Sequence, residues 1–214
     1  MDDSFHELRR QPTGRTLLEN EAGSDPHALF QAWMADARAA DRQEEPSACS
    51  LATVSQSGAP AVRIVLLKAI EDGAFLFFGP SGGRKGQEIS SNPAGALCFY
   101  WHELHRQVRV EGTLSPVSGP LADAYFASRP RASQIGAWAS PQSEVLPNRA
   151  TLDNLVKDCT ARFEGQEISR PKQWGGYALQ PTSMEFWQGR ASRLHDRILF
   201  TTEPNGWSRV RLAP

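Results

Sequence analysis

The chain has 214 residues, of which 40% are hydrophobic and 22% charged, as is usual for a globular protein with one substantial core. A formal net charge of -1 argues against general nucleic-acid and membrane-surface binders, because those proteins carry an excess of Lys and Arg. No apolar run approaches the roughly 20 residues that a helix needs to cross a bilayer.

The three cysteines, Cys49, Cys98 and Cys159, lie far apart and form no CxxC pair. This spacing predicts neither a zinc site nor a disulfide framework. We therefore expect no metal and three buried thiols in a reducing compartment. The first residues contain no apolar segment of the kind that a secretory signal needs, so the expected location is the cytoplasm.

An N-terminal arm precedes the first predicted helix. Residues 1–24 carry scattered charges with little periodicity, which predicts a mobile arm ahead of a single domain over residues 25–214. Asp25 is the expected cap of a helix that has Pro26 at its first position and ends near Asp41. Its apolar residues recur at helical spacing and predict one buried face: Leu29, Phe30, Trp33, Met34 and Ala37.

Three short strands are predicted next, over residues 49–54, 61–68 and 74–78, with polar turns between them. Such spacing favours an antiparallel meander. Alternation along the second strand places Arg63 on one face and Lys68 on the other, so the two cations should bind different anions. The alternative for Lys68 is a lysine at a strand end in water.

A glycine-rich loop, Gly79–Gly86, leads into a predicted helix that continues towards Asn92. Glycines allow a ligand to approach the backbone closely, and free N–H groups at a helix start bind phosphate. Arg84 and Lys85 at that position oppose the helix dipole, which is easier to understand if an anion compensates them. The alternative is a simple turn before a helix.

Two further strands are predicted over residues 94–101 and 106–114. Gln107 alternates with buried valines on the second of them and can donate to and accept from the edge of a heteroaromatic ring. More often a glutamine at such a position faces solvent.

A helix over residues 119–128 is predicted to carry Tyr125, with Arg129 one turn further on the same face. Pro130 ends this helix. Together with Ser133, the tyrosine and the arginine can clamp a phosphate through hydroxyl groups around a guanidinium. The alternative is a capped helix end with an exposed arginine.

The last part of the chain is predicted to form a helix over residues 147–163 and then mostly strands. These strands are expected over residues 174–180, 183–188, 197–202 and 207–214. About eight strands with three or four helices on one side predict an α+β protein built on an antiparallel barrel.

The segment Glu185–Arg197 combines three arginines, a histidine and a tryptophan within a short stretch: Trp187, Arg190, Arg193, His195 and Arg197. Arginine suits phosphate or carboxylate, tryptophan offers a stacking face, and histidine exchanges a proton near neutral pH. The segment therefore predicts a binding site for a flat anionic ligand. A solvated basic strand end is the alternative.

Six motifs, RIVLLK, SGGRKGQEI, RPRASQIGAW, WGGY, EFWQG and RLHDR, occur in this order over residues 25–214. With this order and spacing the chain closely resembles the pyridoxine/pyridoxamine 5′-phosphate oxidase family. The resemblance implies an FMN-binding split barrel and a homodimer with FMN at the subunit interface. It also implies oxidation of the substrate at C4′ to give pyridoxal 5′-phosphate, with dioxygen as the final acceptor and hydrogen peroxide as a product.

The resemblance also assigns residues to ligands. The positions that match cofactor contacts are Arg63, Ile64, Val65, Leu66, Leu67, Lys68, Phe78, Gly79, Arg84, Lys85, Gln107, Gln142, Ser143, Trp187 and Arg197. The positions that match substrate contacts are Lys68, Tyr125, Arg129, Ser133, Arg193, Leu194 and His195. Of these, Arg193 and His195 match the residues around the pyridine ring, and we interpret them as catalytic groups that orient the substrate and stabilise charge.

The chain departs from the family pattern at three places. Phe78–Gly79 stands where an aromatic and a hydroxyl residue are usual, and Gly83 stands where serine is common, so two hydrogen bonds to the cofactor phosphate are expected to be missing. Backbone N–H groups can replace them. Pro12 stands where an arm motif continues to a tyrosine, which argues against a lid role for the arm.

Two other functions fit the same residues. One is an FMN split-barrel oxidase that acts on another substrate, such as a phenazine precursor, although a substrate without phosphate has no use for the predicted clamp. The other is a non-catalytic carrier of flavin or pyridoxal phosphate, which would bind ligand without releasing peroxide.

Overall fold

The computed structural model of the protein describes residues 14–40 and 45–214. Pro12 and Asp41, on which two of the predictions depend, lie outside the described residues. The described chain divides into two compact units. The first holds the residues up to Ser50, residues 97–111 and residues 181–214, and the second holds residues 51–96 and 112–180. The single domain predicted over residues 25–214 stays a prediction.

Six α-helices occur in the described residues. They are α1 Glu19–Ala22, α2 Pro26–Ala39, α3 Arg84–Ser91, α4 Gly119–Ser128, α5 Arg131–Ala139 and α6 Arg149–Arg162. Asp25 caps α2 as predicted, because its carboxylate accepts a hydrogen bond from the backbone N–H of His27 at 2.9 Å. No helix in this part of the chain is long and apolar enough to span a membrane.

The same residues form nine strands. They are β1 Ala48–Val54, β2 Pro60–Leu66, β3 Ala69–Glu71, β4 Ala74–Pro80, β5 Ala94–Trp101, β6 Arg106–Pro116, β7 Trp174–Gln188, β8 Asp196–Glu203 and β9 Gly206–Leu212. Strand pairing follows the order β2-β1-β5-β6-β7-β4-β3, and β8 pairs with β7 and β9. The pairs β3–β4, β4–β7, β7–β8 and β8–β9 are antiparallel.

The predicted three-strand meander is wrong in its third strand. β4 does not neighbour β2 in the sheet but pairs with β3 and β7. The reason is that the second predicted strand ends at Leu66 and resumes as β3 after a break. The backbone N–H of Lys68, which lies in that break, donates to the carbonyl of Leu76 in β4 at 2.8 Å.

The structure differs from the predicted elements at two prolines. Pro130 ends α4 but is also the N-cap of α5, a helix that the sequence did not predict; its φ of -53° suits a helix start. Pro181 lies inside β7, which is continuous where two strands were expected. Pro181 is buried, and its carbonyl accepts a hydrogen bond from Thr202 at 3.2 Å.

Each unit has an aromatic core. In the first unit the Phe30 ring meets the Phe99 ring edge to face at 5.0 Å, and the Trp33 ring meets the Phe186 ring in the same way at 5.3 Å. In the second unit the core cluster consists of Phe126, Ile135, Phe163, Ile168 and Trp174. Burying each such side chain contributes about 1.5–3 kcal/mol. The second cluster fixes α4, α5 and the start of β7, which carry part of the candidate site.

Residues 17–22 belong to the segment predicted to be an arm, and they are folded within the first unit. Leu17 is buried; its N–H donates to Asp196 Oδ2 at 3.1 Å, and its carbonyl accepts from Arg211 Nη2 at 2.9 Å. The mobility predicted for residues 1–24 stays a prediction.

All three cysteines are thiols, as expected, but only Cys49 is fully buried, while Cys98 and Cys159 are half-buried. Burial and the nearby Cys98 raise the pKa of Cys49 to about 12, so this thiol is unreactive near neutral pH.

Candidate active site

An open cavity of about 920 Å³ lies in the second unit. It brings together most of the residues that the resemblance assigns to ligands: Arg63, Ile64, Val65, Leu66, Lys68, Phe78, Gly79, Arg84, Lys85, Tyr125, Arg129, Ser133, Gln142 and Ser143. Residues 60–62 and Trp174 also line the cavity and were not predicted. Residues from six helices and strands, and from loops between them, thus line one volume. This volume is large enough for a cofactor together with a small substrate.

The positions of Arg63 and Lys68 differ from one expectation. Arg63 and Lys68 both line the cavity, although strand alternation was expected to direct them to opposite faces. Alternation does not extend to Lys68 because β2 ends at Leu66. That the two cations bind different anions stays a prediction.

One end of the cavity is strongly cationic and is held together by a buried carboxylate. Glu88 Oε2 accepts from Arg63 Nη2 at 2.7 Å and from the hydroxyl of Thr53 at 2.5 Å, and Glu88 Oε1 accepts from Arg84 Nε at 2.7 Å. Arg63 also donates to the Thr53 hydroxyl. Burial raises the pKa of Glu88, but the hydrogen bonds from Thr53, Arg84 and Arg63 outweigh it and lower this pKa to about 2. Glu88 is therefore ionised at neutral pH.

Lys85 lies beside these arginines and is only 9% exposed. Its Nζ donates to the carbonyl of Pro80 at 3.0 Å and to Gln142 Oε1 at 2.5 Å. Burial and then the neighbouring Arg63 lower the pKa of Lys85 to about 8. An anion at this end of the cavity would offset the free-energy cost of burying the ammonium there.

The glycines that replace hydroxyl residues leave room for this lysine. A Cβ at Gly79 would lie 3.1 Å from Lys85 Nζ, and a Cβ at Gly83 would lie 3.0 Å from Gln142 Oε1. Either side chain would therefore press on the Lys85–Gln142 pair. Gly86 is more restrictive, because a Cβ there would lie 1.9 Å from the carbonyl oxygen of Ser81, so only glycine lets the first turn of α3 pack this closely.

The rim of the cationic end includes a strained serine. Ser143 has φ of 73°, in the left-handed region that costs a non-glycine residue about 1–2 kcal/mol. Its hydroxyl accepts from the backbone N–H of Arg84 at 3.2 Å. This bond ties the loop before α6 to the N-terminus of α3.

The other end of the cavity is a wall of parallel rings beside an arginine. Phe78 and Tyr125 stack at 3.9 Å, and Trp174 lies parallel to Tyr125 at 6.2 Å. The Phe78 ring can lie this way because its strand partner Gly176 has no side chain; a Cβ there would approach the ring to 2.5 Å.

Arg129 is the one side chain of the described residues with a buried polar atom that has no hydrogen-bond partner, its Nη1. Its guanidinium lies 4.7 Å above the Trp174 ring. Burial lowers the pKa of Arg129. A buried guanidinium N–H without an acceptor costs free energy, and a phosphate oxygen is the acceptor that suits it best. Arg129 Nη1 can therefore bind one phosphate group, and the cations Arg63, Arg84 and Lys85 can bind a second.

Seven of the assigned residues do not line the cavity: Leu67, Gln107, Trp187, Arg193, Leu194, His195 and Arg197. All but Leu67 belong to the first unit. There Trp187 and Arg197 are cross-strand partners on β7 and β8, and the Trp187 and His195 rings lie 4.5 Å apart. Arg193 and Leu194 are exposed, and Leu194 is 69% exposed.

Arg197 is held by a second buried carboxylate. Glu185, which is 7% exposed, accepts from Arg197 Nε at 2.8 Å and from Arg109 Nη1 at 3.2 Å. Arg197 also donates to the carbonyl of Ala213 at 2.8 Å. The guanidinium is thereby fixed at two points.

His195 has a fixed orientation. Its Nδ1 accepts from the backbone N–H of Arg190 at 3.0 Å, and the Arg190 guanidinium donates to Asp196 at 2.9 Å. Burial and then Arg193 lower the pKa of His195. The neutral ring therefore carries its proton on Nε2, so this side chain presents a hydrogen-bond donor at neutral pH.

Sequence reasoning missed part of the cavity lining and several supporting residues. The missed lining residues are residues 60–62, Pro80, Pro130 and Trp174, and the missed supporting residues are Thr53, Glu88, Arg109 and Glu185. A signal existed for Glu88, which follows Arg84 by four residues in a helix, and for Glu185, which directly precedes the FWQG motif. Their roles depend on contacts between distant segments, which spacing alone does not reveal.

Comparison with known proteins identifies relatives of the whole chain. The family model described as "Pyridoxamine 5'-phosphate oxidase" matches residues 35–161, and the model described as "Pyridoxine 5'-phosphate oxidase C-terminal dimerisation region" matches residues 174–214. The pyridoxine/pyridoxamine 5′-phosphate oxidase of Rubrobacter xylanophilus is 50% identical over 207 residues, 97% of this chain and 95% of that protein. The enzyme of the same name from Pseudomonas paraeruginosa is 45% identical over the full length of both chains.

Solved structures agree with this result. PhzG from Burkholderia lata, in complex with tetrahydrophenazine-1-carboxylic acid, superposes with a TM-score of 0.88 at 28% identity over 96% of this chain and 100% of that one. A pyridoxamine 5′-phosphate oxidase-related, FMN-binding protein from Nostoc punctiforme superposes with a TM-score of 0.70 at 17% identity over 87% of this chain and 96% of that one. The predicted α+β fold class, an antiparallel split β-barrel with flanking helices, is confirmed.

Proposed function

This chain belongs to the pyridoxine/pyridoxamine 5′-phosphate oxidase family, and from that premise we propose how its residues divide the work. It is an FMN-dependent oxidase that converts pyridoxamine 5′-phosphate or pyridoxine 5′-phosphate to pyridoxal 5′-phosphate. FMN held in the cavity would supply the redox chemistry, a two-electron oxidation of the substrate at C4′ with dioxygen as the final acceptor and hydrogen peroxide as the product.

The cationic end of the cavity holds the cofactor phosphate in this proposal. Arg63, Arg84 and Lys85 supply the charge, and the loop with Gln142 and Ser143 closes over them. What supports this role is that the three cations line the same cavity. In addition, the hydrogen-bond partners of the nearly buried Lys85 among the described residues are two neutral oxygen atoms. Without an anion such a lysine is costly to bury.

The phosphate of the substrate binds at the ring-lined end, to Lys68, Tyr125, Arg129 and Ser133. The observation that carries this assignment is the buried Nη1 of Arg129, which has no acceptor among the residues that the structure describes. Stacking of Tyr125 on Phe78 holds the hydroxyl of the tyrosine in place, so the clamp needs little rearrangement when it binds.

We propose that the protein is a homodimer with FMN at the subunit interface, which accords with the match to a dimerisation region over residues 174–214. Six of the assigned residues do not line the cavity of the single chain, and a second protomer supplies a way to bring them to the cofactor: Gln107, Trp187, Arg193, Leu194, His195 and Arg197. In this arrangement Trp187 and Arg197 contact FMN.

Arg193 and His195 orient the pyridine ring of the substrate. His195 donates from Nε2 to an acceptor atom on that ring, and Arg193 stabilises negative charge that develops there. Because Nδ1 is occupied by the N–H of Arg190, His195 acts as a donor rather than as a general base. A cytoplasmic location stays a proposal that rests on the sequence alone.

A steady-state assay with three substrates tests the proposed activity. Pyridoxamine phosphate and pyridoxine phosphate should each give pyridoxal phosphate and peroxide in equal amounts, and tetrahydrophenazine-1-carboxylic acid should give little. A preference for the phenazine compound, which PhzG binds in its crystal structure, would assign this chain to the other branch of the fold. Binding of the phosphorylated substrates without peroxide would make the protein a carrier.

A further inference from the structure

We propose that Glu88 is a positioning residue for the cofactor phosphate: it holds the guanidinium groups of Arg63 and Arg84 in place and sets the net charge of this end of the cavity. The inference rests on the proposed function, because it takes the cationic end as the site of the FMN phosphate. Glu88 does not line the cavity and acts through the two arginines that do.

The geometry distinguishes this carboxylate from an ordinary structural ion pair. Glu88 is 5% exposed, whereas the Arg84 side chain is 64% exposed. Glu88 takes only Nε of Arg84, so the two Nη groups of this arginine remain available for a ligand. An ion pair with so exposed an arginine adds little to stability. Its expected effect is therefore on the position of Arg84 beside the cavity.

Thr53 fixes the orientation of the Glu88 carboxylate and of the Arg63 guanidinium. Its hydroxyl is fully buried, donates to Glu88 Oε2 and accepts from Arg63. Both carboxylate oxygens are thus used, and each of them accepts from a guanidinium. A glutamine in place of Glu88 would offer one acceptor oxygen and an NH₂ group that faces guanidinium N–H groups, so at least one arginine would be released.

The charge balance matches a phosphate monoester. Three cations, Arg63, Arg84 and Lys85, stand beside the single negative charge of Glu88, so two positive charges remain uncompensated. A phosphate monoester carries about -1.5 to -2 at neutral pH. The end of the cavity is therefore neutralised when such a group binds, and a flavin without a phosphate gains nothing from it.

Binding of two flavins to the flavin-free, full-length protein tests the inference. FMN and riboflavin differ only by the phosphate, and both can be titrated by quenching of flavin fluorescence. We expect Glu88→Gln to raise the Kd for FMN by about 10- to 100-fold, the loss typical of a buried hydrogen bond to a charged group, and to leave the Kd for riboflavin within about twofold. Asp153→Asn, which breaks the exposed ion pair with Arg149 on α6, is the matched control and should change neither.

Three results would overturn the inference. An equal loss of affinity for both flavins would mean that Glu88 serves the fold. Tighter binding of FMN would mean that Glu88 is only an unfavourable charge, and an unchanged Kd for FMN would mean that the arginines need no support. If Glu88→Gln does not fold, Thr53→Val removes the bridging hydroxyl and should show a smaller loss that is again confined to FMN. A wild-type protein that binds neither flavin would reject the proposed function itself, and the inference with it.

Discussion

The guanidinium of Arg129 lies 4.7 Å above the Trp174 ring, and its Nη1 is buried with no hydrogen-bond partner in the described part of the chain. A cation placed on a ring and left with an unused donor is organised for a ligand before the ligand arrives. Packing of α4, α5 and β7 around the cluster of Phe126 and Ile135 offsets the free-energy cost of this arrangement.

Replacing this arginine should separate substrate binding from cofactor binding. Arg129→Ala is expected to raise KM for pyridoxamine phosphate by about 10- to 100-fold, because a charge-assisted hydrogen bond to phosphate is lost. The FMN content per protomer, measured by absorbance, should stay close to that of the wild type. Arg149→Ala, at an exposed ion pair on α6, is the control. An equal loss of FMN would assign Arg129 to the cofactor instead.

Lys85 should make FMN binding weaken as the pH rises. Its pKa of about 8 means that the ammonium is lost above that pH, and a bound phosphate favours the charged form. The Kd for FMN should therefore rise between about pH 8 and pH 9.5, by up to tenfold per unit, and Lys85→Met should remove this dependence. A flat profile in the wild type would contradict the placement of Lys85 beside the phosphate.

The same lysine predicts the opposite trend for the flavin-free protein. The pKa of Lys85 is lowered from 10.5 in the unfolded chain to about 8 in the folded one, so between these values the unfolded state binds more protons. The contribution of this group to the free energy of unfolding should rise with pH across that window. Urea unfolding of the wild type and of Lys85→Met at several pH values measures the difference.

His195 should be neutral at pH 7 and carry its proton on Nε2. Burial and Arg193 lower its pKa, and the N–H of Arg190 occupies Nδ1. Nitrogen-15 NMR of labelled histidine reports the tautomer directly from the two ring shifts. Titration of His195 should lie below the usual value of about 6.5. An Nδ1–H tautomer, or titration above that value, would contradict the donor role assigned to Nε2.

Arg197→Ala should weaken FMN retention. The guanidinium is fixed by Glu185 and by the carbonyl of Ala213, which prepares it for one geometry, and its loss should raise the Kd for FMN at least about tenfold. Arg209→Ala removes an exposed arginine of β9 and is the matched control. A variant that remains fully yellow after gel filtration would remove Arg197 from the cofactor site.

Sequence periodicity predicted most elements of this fold because their apolar residues recur at regular spacing, as in α2 and β6. It failed at two junctions between elements. Pro130 ends one helix and starts the next, and the strand predicted over residues 61–68 ends at Leu66 and is followed by β3, which was not predicted. These outcomes depend on what the neighbouring segments offer, so local pattern could not decide them.

The candidate site was predictable in part for a similar reason. The motifs assigned residues to ligands, and the structure brings those of the second unit, except Leu67, to one cavity. The supporting carboxylates Glu88 and Glu185 were not assigned, because their partners Thr53, Arg63 and Arg109 are remote in sequence. The proposed approach of Gln107 and His195 to the cofactor depends on assembly of two chains, which no local motif encodes.

FMN held by this chain should be reduced by a B6 phosphate ester bound against it. The visible spectrum of the purified protein in the absence of oxygen, before and after addition of pyridoxamine phosphate, tests this directly. We expect a yellow protein whose flavin absorbance is lost within a single turnover and returns when air is admitted. A flavin that stays oxidised with both pyridoxamine phosphate and pyridoxine phosphate would contradict it.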